Sequence, residues 1–330
     1  MSEDGDGSDH PVGSPQHKAE ITRRANEHLA ELTETTRACL EDLDLEPPLP
    51  PVGESDEDIV VHRSDDHIGQ VQKDDRGRIM YDTDIAVDRI RAVTARVMRL
   101  AARESRNRTI GTCYLLMGGD HVTGECIYAH QPHEIDRTLD EQIYTASELY
   151  YEQIERLSRA FERVVVICTP GNHGELRADG SSQKANADGI VFINLELMVR
   201  VSSMNNVQIV RSESARYINH EIRGHRAHLR HGQDSLLHVG TSSGKQRWQS
   251  WAMQHEFDIA YRGHYHEFRL EYLMNIPILM SGSICPPEGF EESLAVWSEP
   301  AATIHGVSDD HVLTWIYPVY FEGRHHMAAR

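Results

Sequence analysis

Lysine is nearly missing from this chain. Only Lys18, Lys73, Lys184 and Lys245 occur in 330 residues, so arginine carries almost all the positive charge. No apolar run approaches the length that crosses a bilayer, which excludes a helical membrane span. The five cysteines (Cys39, Cys113, Cys126, Cys168, Cys285) form no C-x-x-C pair, which argues against a zinc ribbon or a dithiol redox motif. The N-terminus opens on polar and acidic residues and does not read as a secretory signal. A reduced, cytoplasmic protein with no membrane partner is the expectation. A basic excess is lacking too. The formal net charge is −19, of which residues 1–58 supply −12 (16 Asp/Glu against 4 Lys/Arg), leaving −7 on residues 59–330. Binding along a phosphate backbone ordinarily needs clustered Lys and Arg. Acid-rich, lysine-poor composition also suits solubility in high salt, so a halophilic source is a working hypothesis.

What is present is organised in two parts. Residues 1–51 form an acidic N-terminal segment that begins with a Gly/Ser/Asp-rich stretch. A partial helical stripe over Lys18–Leu43 (Ile21, Ala25, Leu29, Leu32, Leu40, Leu43) follows, and the spacing predicts a helix that packs on the body or mediates oligomer or protein contacts. The run Pro47-Pro48-Leu49-Pro50-Pro51 ends any helix and acts as a stiff spacer. From residue 52 to 330 short apolar strands alternate with helices. Strands are expected at Ile59–Val61, Cys113–Met117 and Val164–Cys168. Helices are expected near Asp84–Arg103, His133–Phe161, Asn186–Val201 and Lys245–Glu256. This alternation specifies an α/β domain with a substantial sheet.

The first three strands each run into a polar, glycine-containing loop: Asp65-Asp66-His67-Ile68-Gly69, Gly118-Gly119-Asp120-His121 and Gly171-Asn172-His173-Gly174. Ligands collect at the carboxyl ends of strands in open α/β sheets. Two later pieces also close probable strands, Arg230-His231-Gly232 and Gly263-His264-Tyr265-His266. In an extended segment side chains at i and i+2 share a face, so Asp65 with His67, and His264 with His266, are expected to point together. Carboxylate, amide and imidazole donors suit Mn²⁺, Fe²⁺ or Zn²⁺ better than Ca²⁺ or copper. Two such ions about 3.5–4 Å apart repel each other and need a carboxylate between them. Each piece alone is common by chance: an H-x-H is usually two unrelated histidines, and Asp65-Asp66 could be solvated loop charge. The signal is five pieces in order, all at strand ends.

In that order the motifs resemble those of the calcineurin-like metallophosphoesterase superfamily: D-x-H, G-D, G-N-H, a His before Gly, and G-H-x-H. The resemblance spans residues 59–266. It implies a four-layer αββα sandwich, in which two mixed β-sheets are flanked by helices. It further implies two divalent ions, Mn²⁺ foremost with Fe²⁺ or Zn²⁺ as alternatives. Asp65, His67 and His266 would hold one ion, Asn172, His231 and His264 the other, and Asp120 would bridge them. His173 would act on the phosphate as catalytic residue, beside a metal-bridging hydroxide that attacks phosphorus. His231 has competitors in His225, His228 and His238, and is chosen because a strand precedes it and Gly232 follows. The S-D-x-H-x-G reading is similar to the repair-exonuclease branch, but where that branch carries an acid shortly after G-D and an Asp after G-N-H, this chain reads His121-Val122-Thr123-Gly124-Glu125 and Gly174-Glu175. Only 64 residues follow His266, too few for that branch's DNA-capping domain. The segment Ile127–Gln142 resembles phosphoesterases encoded by phages and archaeal viruses, which leaves a viral origin open.

The expected function is hydrolysis of phosphodiesters, with DNA, RNA or nucleotides as substrate. Seven arginines between Arg89 and Arg108 are the one local basic cluster, read as a solvated helix face. A phosphomonoesterase or protein phosphatase, using Arg177 or Arg262 against a more charged phosphate, is the first alternative. A non-catalytic metal-bound scaffold or virion subunit is the second.

Overall fold

The computed structural model describes residues 55–321, apart from 126, 129–130, 178–181, 183, 288–293 and 295–297, together with residues 14–16, 20, 23–24 and 27. The expected N-terminal helix falls mostly outside the described residues, as does the proline spacer. Glu20, Arg23, Arg24 and Glu27 are helical, with ion pairs four residues apart at 2.6 Å (Arg23–Glu27, Arg24–Glu20).

Strands β1 (Glu57–Arg63), β4 (Ile110–Met117), β5 (Arg163–Cys168) and β6 (Val207–Arg211) run parallel, and β12 (Ala301–Val307) and β13 (Ile316–Tyr320) add antiparallel at the β1 edge. The second sheet has the order β10 (Arg269–Leu273), β11 (Ile276–Met280), β9 (Ile259–Arg262), β8 (His225–Arg230) and β7 (Tyr217–Ile222). A small hairpin that the sequence reading did not anticipate, β2 (Gln72–Lys73) with β3 (Ile79–Tyr81), leads into the first helix. The helices are α1 (Thr83–Glu104), α2 (Leu139–Ser158), α3 (Ala187–Val201) and α4 (Ser242–His255). Helix α2 begins six residues later than expected. Thr138 and Glu141 form a capping box there, which fixes the first turn, while residues 131–133 make a separate 3₁₀ turn.

Three apolar layers hold these elements. Ile59, Val61, Leu115, Val164 and Val166 on one face of the first sheet pack with α1–α3 through Ile90, Val97, Ile154, Leu157 and Val191. Val60, Leu116, Val165 and Ile167 on the other face meet Leu229, Ile259, Tyr261 and Leu279 of the second sheet. Trp248 and Ala252 of α4 cover that sheet's far side against Ala260 and Ile278. The result is the four-layer αββα sandwich. Burial on both faces explains why the central strands read as continuous apolar runs rather than alternating ones.

Register sets up the site. Arg63 pairs with Met117, and Met117 with Cys168, so β1, β4 and β5 end level with one another. Their loops therefore leave the sheet side by side.

Candidate metal centre

All five motif loops meet at this edge. Three groups of donors have their ligand atoms within 4.8 Å of one another: Asp65, His67 and His266; His67, Asp120 and His173; Asp120, His231 and His264. His67 and Asp120 each belong to two groups, so the three form one continuous cluster. Asp65, Asp120, His67 and His231 are buried, while His173, His264 and His266 are partly open.

The chain reaches this geometry in a way the strand-spacing argument did not foresee. Asp65, His67, Asp120, His264 and His266 all lie in the left-handed region, with φ of 59°, 46°, 54°, 72° and 56°. They are therefore not extended residues sharing a face. Each pair converges through a tight left-handed turn instead. Non-glycine residues in this region cost on the order of 1 kcal/mol or more each, and surrounding bonds must over-determine them.

Those bonds are present. The Asp65 amide donates to Gly119 O at 2.9 Å, and the His67 amide to Asp120 O at 3.0 Å. The His264 amide donates to the Asp65 carboxylate at 3.0 Å. Glycine is required where loops touch. A Cβ on Gly171 would stand 2.1 Å from Asp120 Oδ1, and one on Gly263 would stand 1.9 Å from Ser64 Oγ and 2.4 Å from Asp65 Oδ2.

Two buried carboxylates that the sequence reading missed as supports hold the loops. Asp188, in the first turn of α3, accepts the amides of Asp120 and Gly171 at 2.9 Å through one oxygen. Through the other it accepts those of His121 at 3.1 Å and Val122 at 3.3 Å. Burial and the Asp120 charge push its pKa up, which the amides oppose. Asp66 turns away from the cluster. It meets the Arg63 guanidinium, His121 Nδ1 at 2.7 Å and the Tyr150 hydroxyl at 2.8 Å, so it is not solvated loop charge. His121 belongs to this underlying network, not to the donor cluster. Only the Asp188 position carried a sequence signal, as an acid in a helical first turn, and that signal is generic.

The histidines separate by their hydrogen bonds. His231 Nδ1 lies 2.9 Å from Gly118 O, which can only accept, so that nitrogen is protonated and Nε2 faces Asp120 Oδ2 at 2.8 Å. Its three competitors are elsewhere: His225 Nε2 meets Ser308 O at 2.8 Å, His228 Nδ1 meets Asn219 Oδ1 at 2.7 Å, and His238 meets Arg269. His173 Nδ1 similarly donates to Thr123 O at 3.1 Å, and its amide donates to Asp120 Oδ1 at 2.7 Å.

The electrostatics fit a cation. His67 Nε2 and His266 Nε2 face each other at 3.1 Å, and Asn172 Oδ1 and His67 Nδ1 are buried without a hydrogen-bond partner. Burial, reinforced by His173 and His266, holds His67 well below its usual pKa. Burial and His231 lower His264 to about 3. Burial opposes ionisation of Asp65 and Asp120, but His231 and the neighbouring imidazoles hold both carboxyls below the usual range. Neutral His67 and His264 beside ionised carboxylates suit a divalent ion, and His231, held protonated by Asp120 and Asp65, would give up its proton to ligate.

Arg262 does not reach the cluster. It is buried and donates to Leu236 O and Leu237 O at 2.6 Å and to Glu271 at 2.9 Å. Of the arginine cluster, Arg91 pairs with Glu152 and Arg103 with Glu104 on the open side of α1, as a solvated face would. Arg89 instead turns inward to Ile284 O and the Tyr81 and Phe321 rings, and Arg108, beyond the helix, pairs with buried Glu57.

No family model matches the chain, and no curated protein sequence matches it significantly. Among solved structures, Vacuolar Protein Sorting 29 from Cryptosporidium parvum is 14% identical over 81% of this chain and 100% of its own, with a TM-score of 0.38. A novel archaeal phosphodiesterase is 13% identical over 80% and 99%, with a TM-score of 0.36. A hypothetical protein from Pyrococcus horikoshii is 11% identical over 81% and 88%, with a TM-score of 0.39. Likenesses this distant speak to no activity. In its ordered motifs and its two helix-flanked sheets, the chain distantly resembles the calcineurin-like metallophosphoesterases.

Proposed function

We propose that this chain is a metal-dependent phosphoesterase that cleaves phosphodiesters, with nucleic acid ends or nucleotides as substrate. The observation that carries this reading is the continuous donor cluster joined through His67 and Asp120. On this reading Asp65, His67 and His266 hold one divalent ion, Asn172, His231 and His264 hold a second, and Asp120 lies between them. Mn²⁺ suits the mixed O and N donors first, with Fe²⁺ or Zn²⁺ as alternatives. When bound, the ions would offset phosphate charge and acidify the attacking water.

The chain's own groups supply the rest. His173 keeps one proton on Nδ1 through Thr123 O. A second proton on Nε2 can pass to the leaving oxygen, and the ring returns to neutrality without changing its anchor. A buried, pre-formed cluster needs little rearrangement as charge develops. Diesters are favoured over monoesters because both arginines suited to a dianionic phosphate are committed elsewhere, Arg262 to carbonyls and Glu271, and Arg177 to Ile127 O and Asn172 O.

A substrate panel with Mn²⁺ tests the reading. It should contain linear and single-stranded DNA, RNA, cyclic nucleotides, bis-p-nitrophenyl phosphate and p-nitrophenyl phosphate. Turnover of the diesters is expected. A strong preference for the monoester would overturn the diester assignment, and no turnover of any substrate would overturn catalysis.

A further inference from the structure

Tyr128 stands at the rim of the donor cluster. Its ring is 41% exposed, and it meets the His173 ring edge-to-face with centroids 6.4 Å apart. The ring is nevertheless pinned. Its hydroxyl donates to Glu134 Oε2 at 2.9 Å, and the amide of Ile127 donates to Gln131 Oε1 at 2.7 Å. Arg177 donates to Ile127 O at 3.1 Å and to Asn172 O at 3.3 Å, tying the tyrosine's segment to the loop of Asn172 and His173. Gln131 Nε2 donates at 2.8 Å to Thr123 O, the carbonyl that also anchors His173. The open ring and the imidazole beside it are thus fixed to one frame.

We infer that Tyr128 is a stacking platform for a planar aromatic group joined to the scissile phosphate, and that the substrate is a small nucleoside phosphodiester. The inference rests on the phosphodiesterase reading above. An exposed tyrosine on a free loop would lose conformational freedom on stacking, whereas this ring has already lost it. Its position next to His173 puts it within reach of a base attached close to the leaving oxygen. Charge argues for a small substrate over a polymer. The segments around the ring carry Glu125, Glu134 and Glu175 against Arg177, which already donates to Ile127 O and Asn172 O, and a polymer would bring further phosphates past these carboxylates. Backbone tracking needs Lys and Arg in excess, while a single nucleoside diester brings no such chain of charge.

Two aliphatic diesters that differ only in the base isolate the platform: thymidine 5′-(methyl phosphate) and the same ester with the base removed, each with the Mn²⁺-loaded full chain. The wild type should favour the thymidine ester in kcat/KM, chiefly through KM. Tyr128→Ala should shrink that selectivity on the order of tenfold, the usual scale of one base–aromatic stack. Tyr128→Trp should retain it. Selectivity that is absent in the wild type, or unmoved in Tyr128→Ala, overturns the platform even though both esters turn over. Failure to cleave either ester strikes the phosphodiesterase reading instead, and binding then decides the platform. Thymidine 5′-monophosphate should bind more tightly than methyl phosphate, and Tyr128→Ala should abolish the difference. Equal affinities in the wild type overturn it, and a single-stranded oligonucleotide binding more tightly than thymidine 5′-monophosphate overturns the preference for a small substrate.

Discussion

His231 Nε2 lies 2.8 Å from Asp120 Oδ2, with both side chains buried at the junction of the two sheets' loops. Burial alone would lower the imidazole pKa, but Asp120 and Asp65 reverse this and raise it to about 9. Without a cation, the proton on His231 is the charge that balances these carboxylates.

Metal uptake should therefore release that proton. Because the folded pKa of about 9 exceeds the ordinary 6.5, the ion pair stabilises the metal-free fold fully below about pH 6.5 and is lost as pH rises through 9. Metal affinity should run the opposite way, weakening as pH falls below 9. Calorimetric titration of Mn²⁺ at pH 7.5 in two buffers of different ionisation enthalpy should show about one proton released per protein. Buffer-independent heats would refute this.

Asp120→Asn and His173→Ala should separate binding from turnover. Asp120→Asn removes the charge shared between donor groups and should abolish tight metal binding. His173→Ala should keep the metal and lose turnover by roughly 10²–10⁴-fold, the usual weight of a positioned proton donor. Metal content and diester hydrolysis measured on the same preparations would check both, and full activity in His173→Ala would remove that residue from the reaction.

Gly263→Ala should disrupt the cluster although it adds one methyl group, since the new Cβ would fall 1.9 Å from Ser64 Oγ. Metal binding and melting temperature should both drop. Gly189→Ala, in α3 with nothing within 4 Å of its Cβ, should instead gain about 0.5–1 kcal/mol from helix propensity. Equal behaviour of the two variants would contradict the packing described here.

Asp188→Asn should destabilise by about 3 kcal/mol, because an amide nitrogen would face backbone N–H groups that now donate to a carboxylate. Hydrogen exchange should accelerate first at Asp120, His121, Val122 and Gly171. Unchanged protection there would show that the loops hold themselves.

Much of this site was legible in the sequence because its parts are local. A run such as Val164–Cys168 followed by Pro170-Gly171-Asn172-His173 reads as strand, turn and donor without reference to the rest of the chain. The level strand ends come from the register of β1, β4 and β5, which only the sheet shows. The Lys18–Leu43 helix and the division at residue 51 rest on the sequence alone.

By itself, then, the sequence determined the first three long strands, the four helices that follow residue 58, the strand-end placement of the donors and the α/β class. Short-range periodicity and turn chemistry encode those. The tertiary structure decided where side chains point. It put Asp65, His67, Asp120, His264 and His266 into left-handed turns, sent Asp66 inward to Arg63 and Tyr150, and drew Arg262 away to Leu236 and Leu237. It also anchored His231, the candidate its strand and Gly232 already favoured, through a hydrogen bond to Gly118, 113 residues earlier. Such choices depend on partners from distant strands, and a hydrogen bond across the fold leaves no periodic trace in the chain.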